Sequence, residues 1–211
     1  MARTRSPEHA AQKDKIVETA AEMFARTSYA ATSMSDLAAA TGTSKARLYH
    51  YYESKEAILF ALLDEYTQRL LNLTQEVQRT AAGRNPRGIV ADLIELFLRE
   101  YGASRVRHVA MINDAKYLST VQQDVLRGRQ RQIVRIVSDT LLAAYPQRVS
   151  AENKTLITMM LFGAMNWTYL WLKPSGQATY ASFATHVLGV FEGGLLTSEK
   201  PLAPSLGLMH D

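Results

Sequence analysis

The sequence predicts an all-α protein, with a small three-helix unit at the N-terminus and a larger helical domain after it. Three observations carry that expectation. Apolar residues recur at helical spacing along most of the 211 residues. No stretch alternates apolar and polar residues as a half-buried strand would, and no repeat period is visible. Proline and glycine punctuate the periodic segments, notably at Gly42, Gly83, Pro86 and Pro146.

The composition bounds the function without fixing it. Hydrophobic residues make up 47% and charged residues 21%, so the chain can bury a sizeable core and is not a disordered segment. The net charge of +4 favours a polyanionic partner but is too mild to establish one. There is no cysteine, which removes disulfides and thiolate metal sites and is compatible with a reducing cytoplasm. The first fifteen residues carry arginines with no apolar run behind them, unlike a signal peptide.

The first helix spans about Glu8 to Arg26, with Ile16, Val17, Ala20, Ala21 and Phe24 on one face. Ser33 followed by Asp36 is a capping-box pattern that starts a second helix at Met34. Met34, Leu37, Ala38 and Thr41 form its packing face, and Gly42 ends it in a left-handed turn. Ser44 then caps a third helix, on which Leu48 and Tyr52 face inward while Lys45, Ala46, Arg47, Tyr49 and His50 face out. Two helices joined by so short a turn fit either a helix-turn-helix for the DNA major groove or a helical hairpin with a solvated face.

A long helix runs from near Ser54 to about Ala82, stopped by Gly83, Asn85 and Pro86. Further helices are expected over about 86–101, 103–113, 119–145, 151–172 and 177–196, with a frayed tail beyond. The stretch Leu156–Leu172 is apolar on nearly every face, as in a membrane span or a helix covered on both sides. Its 17 residues only reach the lower limit for a bilayer, and Thr158, Asn166 and Thr168 interrupt it, so burial against a second subunit is the better solution. In the last helix Gly189 and Gly193 allow close approach of another helix, either within the chain or from a second copy.

The segment from Thr32 to Glu56 resembles the TetR family of transcriptional regulators. The matching residues are Thr32, Ser33, Leu37, Ala38, Gly42, Ser44, Lys45, Leu48, Tyr49, Tyr51, Tyr52, Ser54, Lys55 and Glu56, and Tyr52 stands where phenylalanine is more usual. The resemblance implies a three-helix DNA-binding domain over residues 1–55, an effector-binding and dimerisation domain over 56–197, and a flexible tail over 198–211. It places Lys45, Ala46, Arg47 and Tyr49 on base edges and Thr32, Ser33, Ser44, Tyr49, His50 and Lys55 on phosphates. That division agrees with chemistry, since hydroxyls, amides and lysines set register while arginine can read guanine with two bonds. It further implies a homodimer that reads an inverted repeat on double-stranded DNA. Arg3 and Arg5 head a loose N-terminus that fits a minor-groove arm or an ordinary frayed end.

An input site is less legible. Phe97, Tyr101, Met111, Tyr117, Met160, Met165, Asn166, Tyr169 and Trp171 fit the lining of an apolar pocket or plain core packing. Between Tyr101 and Arg135 stand seven Lys or Arg against two Asp, and Arg127, Arg131 and Arg135 recur at four-residue steps. That edge suits the anionic end of a ligand whose other end is greasy, or is simply solvated. The segment from Gly163 to Gly176 is similar to TetR-type repressors of fatty-acid, phenylacetate or steroid-ring catabolism, which implies an acyl-CoA effector. A drug-efflux repressor sensing neutral or cationic compounds is the alternative. No cofactor or metal is expected, since the five histidines lack metal-ligand spacing, and a helical enzyme is a distant alternative without a phosphate loop or nucleophile elbow.

Overall fold

The computed structural model describes residues 7–172, 176 and 178–197. Among the described residues the chain is helical, with no strand. The described residues form two compact units, the first made of 7–67 and 106–127 and the second of 68–105 and the described residues from 128 onward.

The first unit begins with α1 (Pro7–Thr27), whose end is closed by Ser28 at a left-handed φ of 76°. Helix α2 (Met34–Ala40) starts with the expected capping box, in which the Ser33 hydroxyl accepts from the Asp36 amide and the Asp36 carboxylate accepts from the Ser33 amide. Gly42, at φ 69°, reverses the chain into α3 (Lys45–Tyr51), where the Ser44 hydroxyl accepts from the Arg47 amide at 3.1 Å. Helix α4 (Lys55–Arg79) contributes its first half to this unit. So do α6 (Arg105–Asp114) from Val106 onward, a 3₁₀ turn (Ala115–Tyr117) and the start of α7 (Thr120–Ala144).

One core holds this unit together. Ile16, Ala20 and Phe24 of α1, Leu37 of α2, Leu48 of α3 and Ile58, Leu59, Leu62 and Leu63 of α4 are buried together with Ala110, Leu118 and Leu126. The compact unit therefore differs from a cut at residue 55. The first half of α4 and the α6 segment supply apolar side chains that α1–α3 alone do not have.

The second unit contains the rest of α4 and α7, α5 (Pro86–Ala103), α8 (Lys154–Asn166), the single turn α9 (Thr168–Trp171) and α10 (Tyr180–Thr197). Asn85 caps α5 and Pro86 opens it, as a helix start favours. Helix α5 packs on both α8 and α10. The helix expected over 151–172 is broken at Trp167. There the Thr168 hydroxyl turns back to the Met165 carbonyl at 2.7 Å and the chain restarts as α9. Helix α4 ends at Arg79, three residues short of the expected Ala82.

Among the described residues no helix is long and apolar enough to cross a membrane. The expected tail over 198–211 and the arginines Arg3 and Arg5 lie outside the described residues.

Candidate nucleic-acid interface

Helix α3 is too short to be stable alone, so its cap and one anchor hold it in place. Leu48 is that anchor, fully buried and the one buried residue of the helix. Every other side chain from Lys45 to His50 is exposed, including Tyr49 at 46%. The surface that results carries two cations, a phenol, an imidazole and the small Ala46, all of which can reach a polyanion's edge. Behind α3, His9 of α1 packs against Tyr51 with ring centres 4.9 Å apart, and the Lys13 ammonium lies 4.9 Å from the centre of the Tyr52 ring. The two tyrosines thus brace α3 against α1.

At the start of α2, Ser33 is exposed and the bonds from its hydroxyl and amide hold the Asp36 carboxyl below the usual aspartate range. Two residues expected to touch phosphate are instead turned into the unit. Thr32 is 3% exposed, and its hydroxyl donates to the Ser28 carbonyl at 2.8 Å. The Lys55 ammonium donates to the carbonyls of Tyr29 and Thr32, each at 2.7 Å. The reason in both cases is the loop between α1 and α2, whose carbonyls lack helical donors and are satisfied by these two side chains.

The residues expected to line an effector pocket divide between the units. In the first, Met111 packs on the core, Tyr117 stacks on Tyr29 with ring centres 4.9 Å apart, and the Arg127 guanidinium bonds Gln123 at 2.7 Å. In the second, Phe97, Tyr101 and Met165 are buried, and Phe97 meets Phe162 edge to face at 5.1 Å. These three fill space in the core of that unit. Asn166 keeps a buried side-chain oxygen that finds no partner among the described residues. The Tyr169 carbonyl accepts from Arg105 at 2.9 Å, and Trp171 packs edge-on against Phe183 at 5.2 Å. Arg131 and Arg135 are exposed, and Met160 is exposed too.

The sequence did not point to a groove of about 570 Å³ between α5 and α10, lined by Glu95, Arg99, Gly102, Ala103, Thr179, Tyr180, Ala181 and Ala184. A β-carbon on Gly102 would come within 2.7 Å of the Tyr180 ring, so the glycine is what lets that ring lie against α5. Among the described residues no group of three or more His, Cys, Asp or Glu could hold a metal.

Two family models match this chain. The bacterial regulatory proteins of the tetR family match residues 16–62, which hold the capped α2–α3 pair. The tetracyclin repressor-like C-terminal domain matches residues 83–195, more than half of the chain. The chain belongs to the TetR family.

A TetR-family regulator from Bordetella parapertussis 12822 is 35% identical in sequence and superposes with a TM-score of 0.81, over 89% of this chain and 97% of its own. The transcriptional repressor KstR2 of Mycolicibacterium smegmatis is 24% identical over 196 residues, 90% of this chain and 93% of its own. AibR, crystallised with isovaleryl coenzyme A and operator DNA, is 24% identical with a TM-score of 0.71, over 85% of this chain and 97% of its own. That last likeness speaks to the fold alone. The protein is thus a TetR-family transcriptional regulator with a DNA-binding helix-turn-helix, and its relatives are regulators as well.

Proposed function

We propose that this TetR-family protein is a cytoplasmic, dimeric repressor that binds an inverted-repeat operator and leaves it on binding an acyl-CoA thioester. The observation that carries the DNA half is the surface of α3, where Leu48 alone is buried and Lys45, Ala46, Arg47, Tyr49 and His50 all face outward. Arg47 reads a base edge, and Ser33, Ser44, Tyr49 and His50 fix the register on phosphates.

The dimer is supported by apolar side chains that the single chain leaves in water. Met159, Met160, Trp167, Leu170 and Trp171 of the α8–α9 stretch and Val190 and Leu196 of α10 are exposed, Trp167 at 61% and Val190 at 75%. Large exposed apolar side chains on neighbouring elements mark an interface. The glycines Gly189, Gly193 and Gly194 leave open space beside α10 for a second helix. Pairing α8 and α10 with their counterparts in a second copy makes a four-helix interface. Two-fold symmetry then dictates an inverted repeat.

The second unit is read as the effector-binding and dimerisation part. Its groove sets Ala103, Ala181 and Ala184 beside two exposed charges one turn apart on α5, Arg99 and Glu95, and the Arg99 guanidinium suits the anionic end of a ligand whose other end is greasy. The fold neighbour AibR was crystallised with isovaleryl coenzyme A, a ligand of this class. Release from DNA follows if the ligand favours the form in which the two α3 helices miss successive grooves.

The test is a titration of the DNA complex, followed by fluorescence anisotropy, with short- and long-chain acyl-CoA thioesters, the matching free acids, coenzyme A and cationic dyes. Release by a thioester and by none of the others is the expected result. Release by the dyes alone makes the protein a sensor of cationic drugs and overturns the acyl-CoA reading.

A further inference from the structure

Lys55 opens α4 and lies beside Thr32, the residue before the cap of α2. A lysine there could hold a phosphate, yet its ammonium faces the α1–α2 loop. Nζ donates to the carbonyls of Tyr29 and Thr32 at 2.7 Å each, reaches that of Ala30 at 3.5 Å, and lies 4.2 Å from the centre of the Tyr29 ring. Two of the ammonium's three protons are thus committed to carbonyls, and the third points toward a longer contact with Ala30. Burial lowers its pKa, and the nearby Asp114 carboxylate acts in the opposite direction.

The loop has a physical need for this cation. Ser28 stands at a left-handed φ of 76°, so the residues after it leave the helix with carbonyls that no helical amide reaches. Two of these carbonyls meet the ammonium at 2.7 Å, charge-assisted bonds stronger than the same bonds from a neutral donor. Ser33, the cap of α2, is the next residue after the gripped Thr32 carbonyl. The same turn of α4 also holds a second loop, because the Glu56 carboxylate accepts the Ser119 amide at 3.1 Å. Tyr117 beside that loop stacks on Tyr29.

We propose that Lys55 is a positioning residue for DNA binding, which fixes the α1–α2 loop and the first turn of α2 and makes no phosphate contact itself. Its influence on DNA passes through Ser33 and the placement of α2 against α3.

Lysine acetylation read by mass spectrometry, on the unsubstituted protein with and without a mixed-sequence duplex at low salt, tests this directly. Lys45 is expected to react in the free protein and lose reactivity on adding duplex, while Lys55 reacts slowly in both. K55M provides a second measurement, taken where circular dichroism shows it folded. Its dissociation constant is expected to rise about tenfold at every salt concentration. The slope of log affinity against log salt should stay that of the parent. Protection of Lys55 only when duplex is added, or a slope smaller by ~0.9, the share of one phosphate, overturns the proposal. Failure of the parent to bind duplex at low salt overturns it together with DNA binding itself.

Discussion

Leu48→Ala separates the anchoring of the recognition helix from the stability of the rest. Leu48 is fully buried, at 0% relative exposure, and no other residue of α3 is fully buried. Truncating a buried leucine to alanine costs about 2–5 kcal/mol, through lost transfer energy and the cavity left behind. Because α3 is seven residues long and its other core contact, Tyr51, is only half-buried, most of the cost falls on its docking. With about 3 kcal/mol lost locally, hydrogen-exchange protection of the α3 amides should fall roughly a hundredfold. Protection in α5, α8 and α10 should be unchanged, and DNA affinity should fall by a comparable factor. The assay is native-state exchange read by mass spectrometry, with anisotropy titrations alongside. If α3 protection held while DNA binding was lost, or if α5 and α8 lost protection to the same degree, the single-anchor account would be wrong.

Other outcomes follow from the same geometry. Arg47→Ala should erase discrimination at one base pair in each half-site, worth about 1–3 kcal/mol, while binding to scrambled duplex changes little; equal losses on every duplex would remove its base-reading role. Ser44→Ala should cost about 1 kcal/mol by exposing the Arg47 amide, measured as a shift in urea midpoint, and Ser44→Gly should cost less. Asp36 has a lowered pKa, so its contribution to α2 is fully present above the ordinary aspartate value and is lost as acidification passes the lowered one. Exchange of the α2 amides should therefore quicken in that acid range, and Asp36→Asn should abolish the effect. Trp167→Glu and Val190→Glu should each shift the dimer to monomer in sedimentation velocity, because they put a charge on the exposed apolar faces of the second unit.

What could be read from the chain was what depends on near neighbours. The Ser33–Asp36 box, the left-handed turn at Gly42 and the cap at Ser44 each lie within four residues, so composition and spacing decide them. Leu48 as the inward residue of α3 was legible for the same reason. Lys55 was not, because its partners are carbonyls of Tyr29 and Thr32, and only the folded loop turns them toward α4. Gly102 fell between two expected helices, and nothing near it in sequence points to the Tyr180 ring that lies against it. The aromatic and methionine positions expected around an effector gave a face and not a partner. Periodicity alone cannot tell Phe97, packed on Phe162 in one unit, from Tyr117, stacked on Tyr29 in the other. The break at Trp167 lies inside a run that is apolar throughout, so hydropathy does not record it.

Selection of bound sequences from a pool of random duplexes addresses the central claim most directly. Two α3 surfaces related by a two-fold axis must enrich an inverted repeat whose half-sites recur at one fixed spacing, with two protomers on each selected duplex. Enrichment of a single unpaired half-site, or no enrichment over the starting pool, would contradict it.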